Sequence, residues 1–229
     1  MLDFLMNYTV IYVLFFAAFL FSIFTSINVN STFRKYNRVI SSRGMPASVI
    51  ARQILDSNGL YNVNVVRTAG SLTDHYDPRT NTIALSQTVY DSCSVGAIGV
   101  AAHEVGHAIQ YATGYVPIKI RMAILPVAQF GSHAWIIIFI LGIVFRMPIL
   151  REIGIVLFAF IVLFQLITLP VEFNASSRAI KTIDNQGILI GSELTGAKRT
   201  LRAAAMTYVA SLALAIVQLL RLLASSRRN

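Results

Sequence analysis

The sequence predicts a mainly α-helical integral membrane protein with about four transmembrane helices and a small α+β unit on the cytoplasmic side. Three observations carry that expectation. Hydrophobic residues make up 55% of the 229, and the mean hydropathy is +0.65, beyond what a water-soluble domain sustains. Apolar runs recur at residues 10–29, 123–145, 153–169 and 203–224. Between the first two lies a polar stretch, 44–122, with helix and strand periodicities of its own. Lys and Arg outnumber Asp and Glu by 19 to 10. Because the basic residues flank apolar runs, that excess favours membrane orientation and contact with anionic lipid over nucleic-acid binding.

The first run, "VIYVLFFAAFLFSIFTSINV", is long enough to span a bilayer. Its leading residues carry Asp3 and no Lys or Arg, and no small-x-small cleavage site succeeds it, so it reads as a retained anchor. Next comes "FRKYNRVISSR", with Arg34, Lys35, Arg38 and Arg43, which places the amino terminus outside and the residues from 30 onward inside. Residues 1–43 thus form an anchor and juxtamembrane helix. In 44–122, "MPASVIARQILDSNG" reads as a short amphipathic helix between Pro46 and Gly59. "YNVNVVRT" and "NTIALS" alternate like strands, with Ile83 and Leu85 on one face, and "HYDPRTN" reads as the turn before the second. A helix is expected over Val95–Ala112, ending near Gly114. The single cysteine, Cys93, excludes an intramolecular disulfide and a multi-cysteine metal site, and is expected to pack as a small apolar residue beside that helix.

Residues 123–170 form a transmembrane hairpin split by "RMPILRE", 171–202 a helix and loop after it, and 203–229 a last helix. That helix contains Gln218 and Arg221, so it either spans or lies in the interface. The inside segments 30–122 and 172–202 hold nine and five basic residues against two in the outside loop 146–152. Arg221, Arg227 and Arg228 fit less well if the fourth helix crosses outward.

Within the helix at 95–112 stands "AAHEVGHAIQ". Residues four apart share a helical face, so His103 and His107 can grip one ion, while Glu104 lies about 100° round the helix, angled to where a water would sit. A zinc-type site takes three protein ligands and leaves a fourth position open. Of the downstream glutamates, Glu152 falls in the outer hairpin loop, and Glu193 opens the next helix. Glu172, in "LPVEFNASSRAI", returns on the motif's side, where a carboxylate at the membrane boundary is costly without a partner. The alternative is an ordinary interfacial carboxylate paired with Arg178 or Lys181.

"AAHEVGHAIQ" followed across two spans by "EFNASSRA" resembles the YugP-like neutral zinc metallopeptidases, a bacterial membrane family, and more distantly the HtpX-type gluzincins. The likeness extends to "SSRGMPASVIARQILDSNGL" and "LTDHYDPRTNTIALSQTVYD". It implies one Zn²⁺ held by His103, His107 and Glu172, with Glu104 as catalytic acid/base in a zincin-like unit. HtpX-type enzymes carry Glu-x-x-x-Asp, whose aspartate orients a zinc-bound histidine. The matching position here is Ser176, with Asn174 as a possible substitute, which puts metal affinity in question more than reaction class.

The expected activity is hydrolysis of a protein or peptide substrate through a zinc-activated water, with Glu104 shuttling the proton, at the cytoplasmic face of a bacterial plasma membrane. The strand "NTIALS" could pair with an extended substrate. His75, His133, Tyr111 and Arg178 are candidates for stabilising the transition state. Two rival readings remain: a site-two-type intramembrane protease using Asp184 as third ligand, and a catalytically silent, zinc-stabilised scaffold.

Overall fold

The computed structural model describes residues 8–226; Asp3, Arg227 and Arg228, which bear on membrane orientation, lie outside them. Among the described residues, seven helices and three strands succeed one another in chain order: α1 (Tyr8–Tyr36), α2 (Ala47–Ser57), β1 (Asn64–Thr68), β2 (His75–Asp77), β3 (Thr82–Ser86), α3 (Gln87–Tyr90), α4 (Val95–Ala112), α5 (Val116–Val144), α6 (Pro148–Asn185) and α7 (Gly191–Ser226). They divide into two compact units, one covering 8–26, 119–170 and 207–226, the other 27–118 and 171–206.

The first unit is built from apolar helix. Each of α1, α5, α6 and α7 is long and apolar enough to cross a membrane. Only 17–28% of the most apolar stretch of each is buried within the protein. The remaining apolar side chains therefore face outward, as lipid contact requires. A small cluster of Ile155, Phe158, Ala215 and Leu222 forms its core, with the Trp135 and Phe158 ring centroids 4.6 Å apart.

The second unit has a conventional core around α4. The short helix α2 buries Ala47, Ile50, Ala51, Ile54 and Leu55, the i, i+3, i+4 spacing of an amphipathic helix. These pack with Ile83, Leu85, Ile98, Ala101 and Val105, together with Ala179 and Ile183 of α6 and Ala197 and Leu201 of α7. Full burial of each Ile or Leu contributes about 1.5–3 kcal/mol. The expected bounds of α4 hold, and Ser94 caps its start by accepting from the Ala97 amide at 3.1 Å.

The sheet runs in the order β1-β3-β2, with β1 parallel and β2 antiparallel to β3. Two expectations change here. The segment "HYDPRTN" is not all turn: His75–Asp77 pair with Ala84–Thr82 as a strand, and the reversal is confined to the residues after them. Nor is "NTIALS" an edge open to substrate. It is the central strand, with Thr82, Ile83 and Ala84 paired on both sides. Cys93 also differs from expectation. It is half-buried, and its thiol donates to the Gly44 carbonyl at 3.3 Å instead of packing as an apolar group.

Candidate metal centre

The site is assembled from α4 and the part of α6 that begins at Val171, both in the second unit. Their close approach depends on Gly106, the fourth residue of the His-Glu-x-x-His motif. A Cβ there would stand 2.5 Å from the Ala175 carbonyl oxygen, so only glycine lets the two backbones meet at this distance. Glu172 lies one turn before Ala175 and is thereby aimed at the imidazoles of α4.

His103, His107 and Glu172 converge, each offering one ligand atom, and these atoms all lie within 4.8 Å of one another. Oε2 of Glu172 is 3.2 Å from Nε2 of His103 and 3.4 Å from Nε2 of His107. Ligand atoms bonded to a tetrahedral zinc at about 2.0–2.1 Å stand about 3.3 Å apart, so the spacing and the two-imidazole, one-carboxylate donor set both fit such an ion. Glu172 is 2% exposed. Arg178, the partner that an ordinary interfacial carboxylate would take, sends its Nε to Asn174 Oδ1 at 2.8 Å and faces the Tyr115 ring.

Both imidazoles turn Nε2 towards Glu172 and Nδ1 away, onto a polar partner. For His107 the tautomer is fixed by a chain of hydrogen bonds. Arg178 can only donate, so the atom of Asn174 facing it is the carbonyl oxygen. The same oxygen accepts from Nε2 of Gln110 at 3.0 Å, and that amide also donates to the Val171 carbonyl at 2.8 Å. Oε1 of Gln110 therefore faces His107 Nδ1, at 3.0 Å, and accepts its proton. In the neutral ring this leaves the lone pair on Nε2, the form a metal ligand requires.

Gln110 is fully buried, and sequence reasoning missed it. The available signal was an amide one turn after His107, on the helical face that carries both histidines. Ser176 is a second finding. Read as the loss of an orienting aspartate, it instead places Oγ 3.1 Å from His103 Nδ1, so a hydroxyl occupies that role. Asn174 acts one step further out, on Gln110.

Glu104 is 7% exposed. Burial raises its carboxyl above the ordinary range, against the pull of His103 and His107, and the charges of Glu172 and Asp74 add to the rise. Burial would lower His107, but its hydrogen bond to Glu172 and the charge of Glu104 carry it above the usual histidine value.

Similarity to known proteins covers the same residues. Residues 11–227 match the family model described as "Putative neutral zinc metallopeptidase". The chain belongs to this family. A curated relative, "Putative membrane protease YugP" of Bacillus subtilis (strain 168), is 45% identical over 205 residues, covering 90% of this chain and 91% of that protein. No solved structure gives a significant match.

The remaining candidates of this zinc-peptidase family member fall elsewhere. His75 is exposed on β2, with Nδ1 2.8 Å from the Thr73 carbonyl. Tyr111 sits edge-on to Tyr76 with ring centroids 6.3 Å apart. His133 belongs to the first unit and engages the Gln129 carbonyl of its own helix. Asp184 is exposed, pairs with Lys198 at 3.9 Å, and lies beyond Glu172 by about 18 Å of helix.

Proposed function

We propose that the chain is a membrane-anchored zinc metallopeptidase that hydrolyses peptide bonds at the cytoplasmic face of a bacterial plasma membrane. The observation that carries this reading is the meeting of His103, His107 and Glu172 beside the buried Glu104. His103, His107 and Glu172 would hold one Zn²⁺. When bound, the ion supplies Lewis acidity that acidifies a water and polarises the scissile carbonyl.

Glu104 serves as the general base and then the general acid. Burial raises its carboxyl from the ordinary carboxylate range, the direction that makes it a stronger proton acceptor. Ser176 and Gln110 hold the imidazoles in orientation through Nδ1. The family and the relative's name support peptide hydrolysis and membrane residence, and the basic-residue asymmetry supports the cytoplasmic side. The exposure of Asp184 and its pairing with Lys198 weigh against the site-two-type ligand set. On this reading residues 44–122 and 171–202 do the chemistry, and 1–43, 123–170 and 203–229 anchor it.

The test is casein or peptide cleavage by purified full-length protein and by Glu104→Gln. The variant is expected to retain zinc and to lose at least about a hundredfold in rate, the scale of a lost general base. Full activity in Glu104→Gln would remove the catalytic assignment, and absence of cleavage by the wild type on any unfolded protein would favour the silent scaffold.

A further inference from the structure

A cavity of about 290 Å³ lies in the same unit as the metal centre, between the last turns of α1 and the first half of α7. From α1 it is lined by Asn28, Thr32, Lys35 and Tyr36, and from α7 by Arg199, Arg202, Ala203 and Met206. The sequence spacing explains the lining: 28, 32 and 35 share one helical face, as do 199, 202, 203 and 206. Two helices thus turn polar and cationic faces towards one another.

The charge balance of this cavity is one-sided. Three cations line it and no carboxylate does. None of the three forms an ion pair among the described residues, although Lys198, next to Arg199, pairs with Asp184. Like charges around one cavity repel, and an anion relieves that repulsion. The groups are also held in place. Nη1 of Arg199 is 3.4 Å from the Tyr36 hydroxyl, and Lys35 Nζ lies 5.6 Å from the Tyr36 ring centre. Tyr36 in turn packs closely on α7 because residue 196 is glycine: a Cβ there would stand 2.6 Å from its ring. A tyrosine wedged at a glycine therefore organises two cations beside it.

Location narrows the class of anion. Asn28 stands at the end of the apolar run of α1, and Ala203 opens that of α7. Arg199, Arg202 and Lys35 stand within a few residues of both boundaries, the level at which lipid phosphates lie. We propose that this cavity binds the phosphate of an anionic phospholipid headgroup, with Arg199 and Arg202 as the principal donors and Lys35 and Thr32 completing the cradle. Arginine forks match phosphate oxygens in pairs, and the hydroxyl and amide of Thr32 and Asn28 suit its remaining acceptors.

Full-length protein in neutral detergent is titrated with phosphatidylglycerol, phosphatidylcholine or inorganic phosphate, and retained lipid and thermal midpoint are read for each. Wild type is expected to retain phosphatidylglycerol at least about tenfold better than phosphatidylcholine. Arg199→Gln with Arg202→Gln should abolish that preference, while Arg34→Gln with Arg38→Gln, which removes the same charge outside the cavity, should leave it intact. Protection of wild type by inorganic phosphate alone, lost in the cavity variant, would overturn the lipid assignment and make the ligand a free phosphate at the same site. Equal loss in both double variants, or no preference in wild type, overturns the proposal. Should the cavity variant fail to fold, Lys35→Gln on the other helix decides: an unchanged preference there counts against the site.

Discussion

At the scale of single residues, the orienting groups matter as much as the proposed ligands. Gln110 ties His107 to Asn174 and the Val171 carbonyl at once. Gln110→Leu should lower zinc affinity by about 10–100-fold, measured by competition with a chelator. Ser176→Ala, which removes one hydroxyl from His103, should act in the same direction and less strongly. The pH dependence has a definite sign. His107 and Glu104 both hold protons more tightly in the folded, metal-free chain than in the unfolded one. The stability contributed by the His107 proton is therefore present below its unfolded value, about pH 6.5, and lost as pH rises through the higher folded value. Zinc competes with that proton, so its affinity should climb over the same interval, with protons released on binding. His103, Glu104 and His107 were legible because their spacing is a property of one helix. Gln110 was not, because the Val171 carbonyl and the Asn174 side chain that fix its amide lie 61 and 64 residues away along the chain, and the bond from Ser176, a position the sequence did single out, reaches His103 across 73 residues.

At the scale of elements, the meeting of α4 with α6 decides whether the site exists. Gly106→Ala should cost about 1–3 kcal/mol of overpacking and part the imidazoles from Glu172, seen as a lower unfolding temperature and weaker zinc binding. Gly99→Ala is the internal control on the same helix. Its Cβ would meet Ala197 at an ordinary 3.5 Å, so it should be tolerated. The strand "NTIALS" shows what periodicity leaves open. Alternation identified a strand with Ile83 and Leu85 inside, and both are fully buried. Alternation carries no information on which neighbours pair with it, and β2 was hidden because its strand is only three residues long in a turn-rich segment. Pairing depends on contacts remote in sequence, which a single chain does not display.

At the scale of the whole molecule, four apolar helices and the distribution of basic residues make a topological claim. In a Cys93→Ser background, Met147→Cys should react with a membrane-impermeant maleimide added outside intact cells, and Ser71→Cys should react only after lysis. The four runs were legible because a bilayer demands about twenty apolar residues for each crossing. Their continuation into polar helix was not, since α6 runs unbroken from Pro148 through Glu172 to Asn185. That continuity supplies the third proposed ligand from a membrane-type helix, and zinc content tests it most directly. Purified wild type is expected to carry one Zn²⁺ per chain and Glu172→Ala less than about a tenth as much after mild chelation, as loss of one of three protein ligands demands. Undiminished zinc in Glu172→Ala would contradict the account.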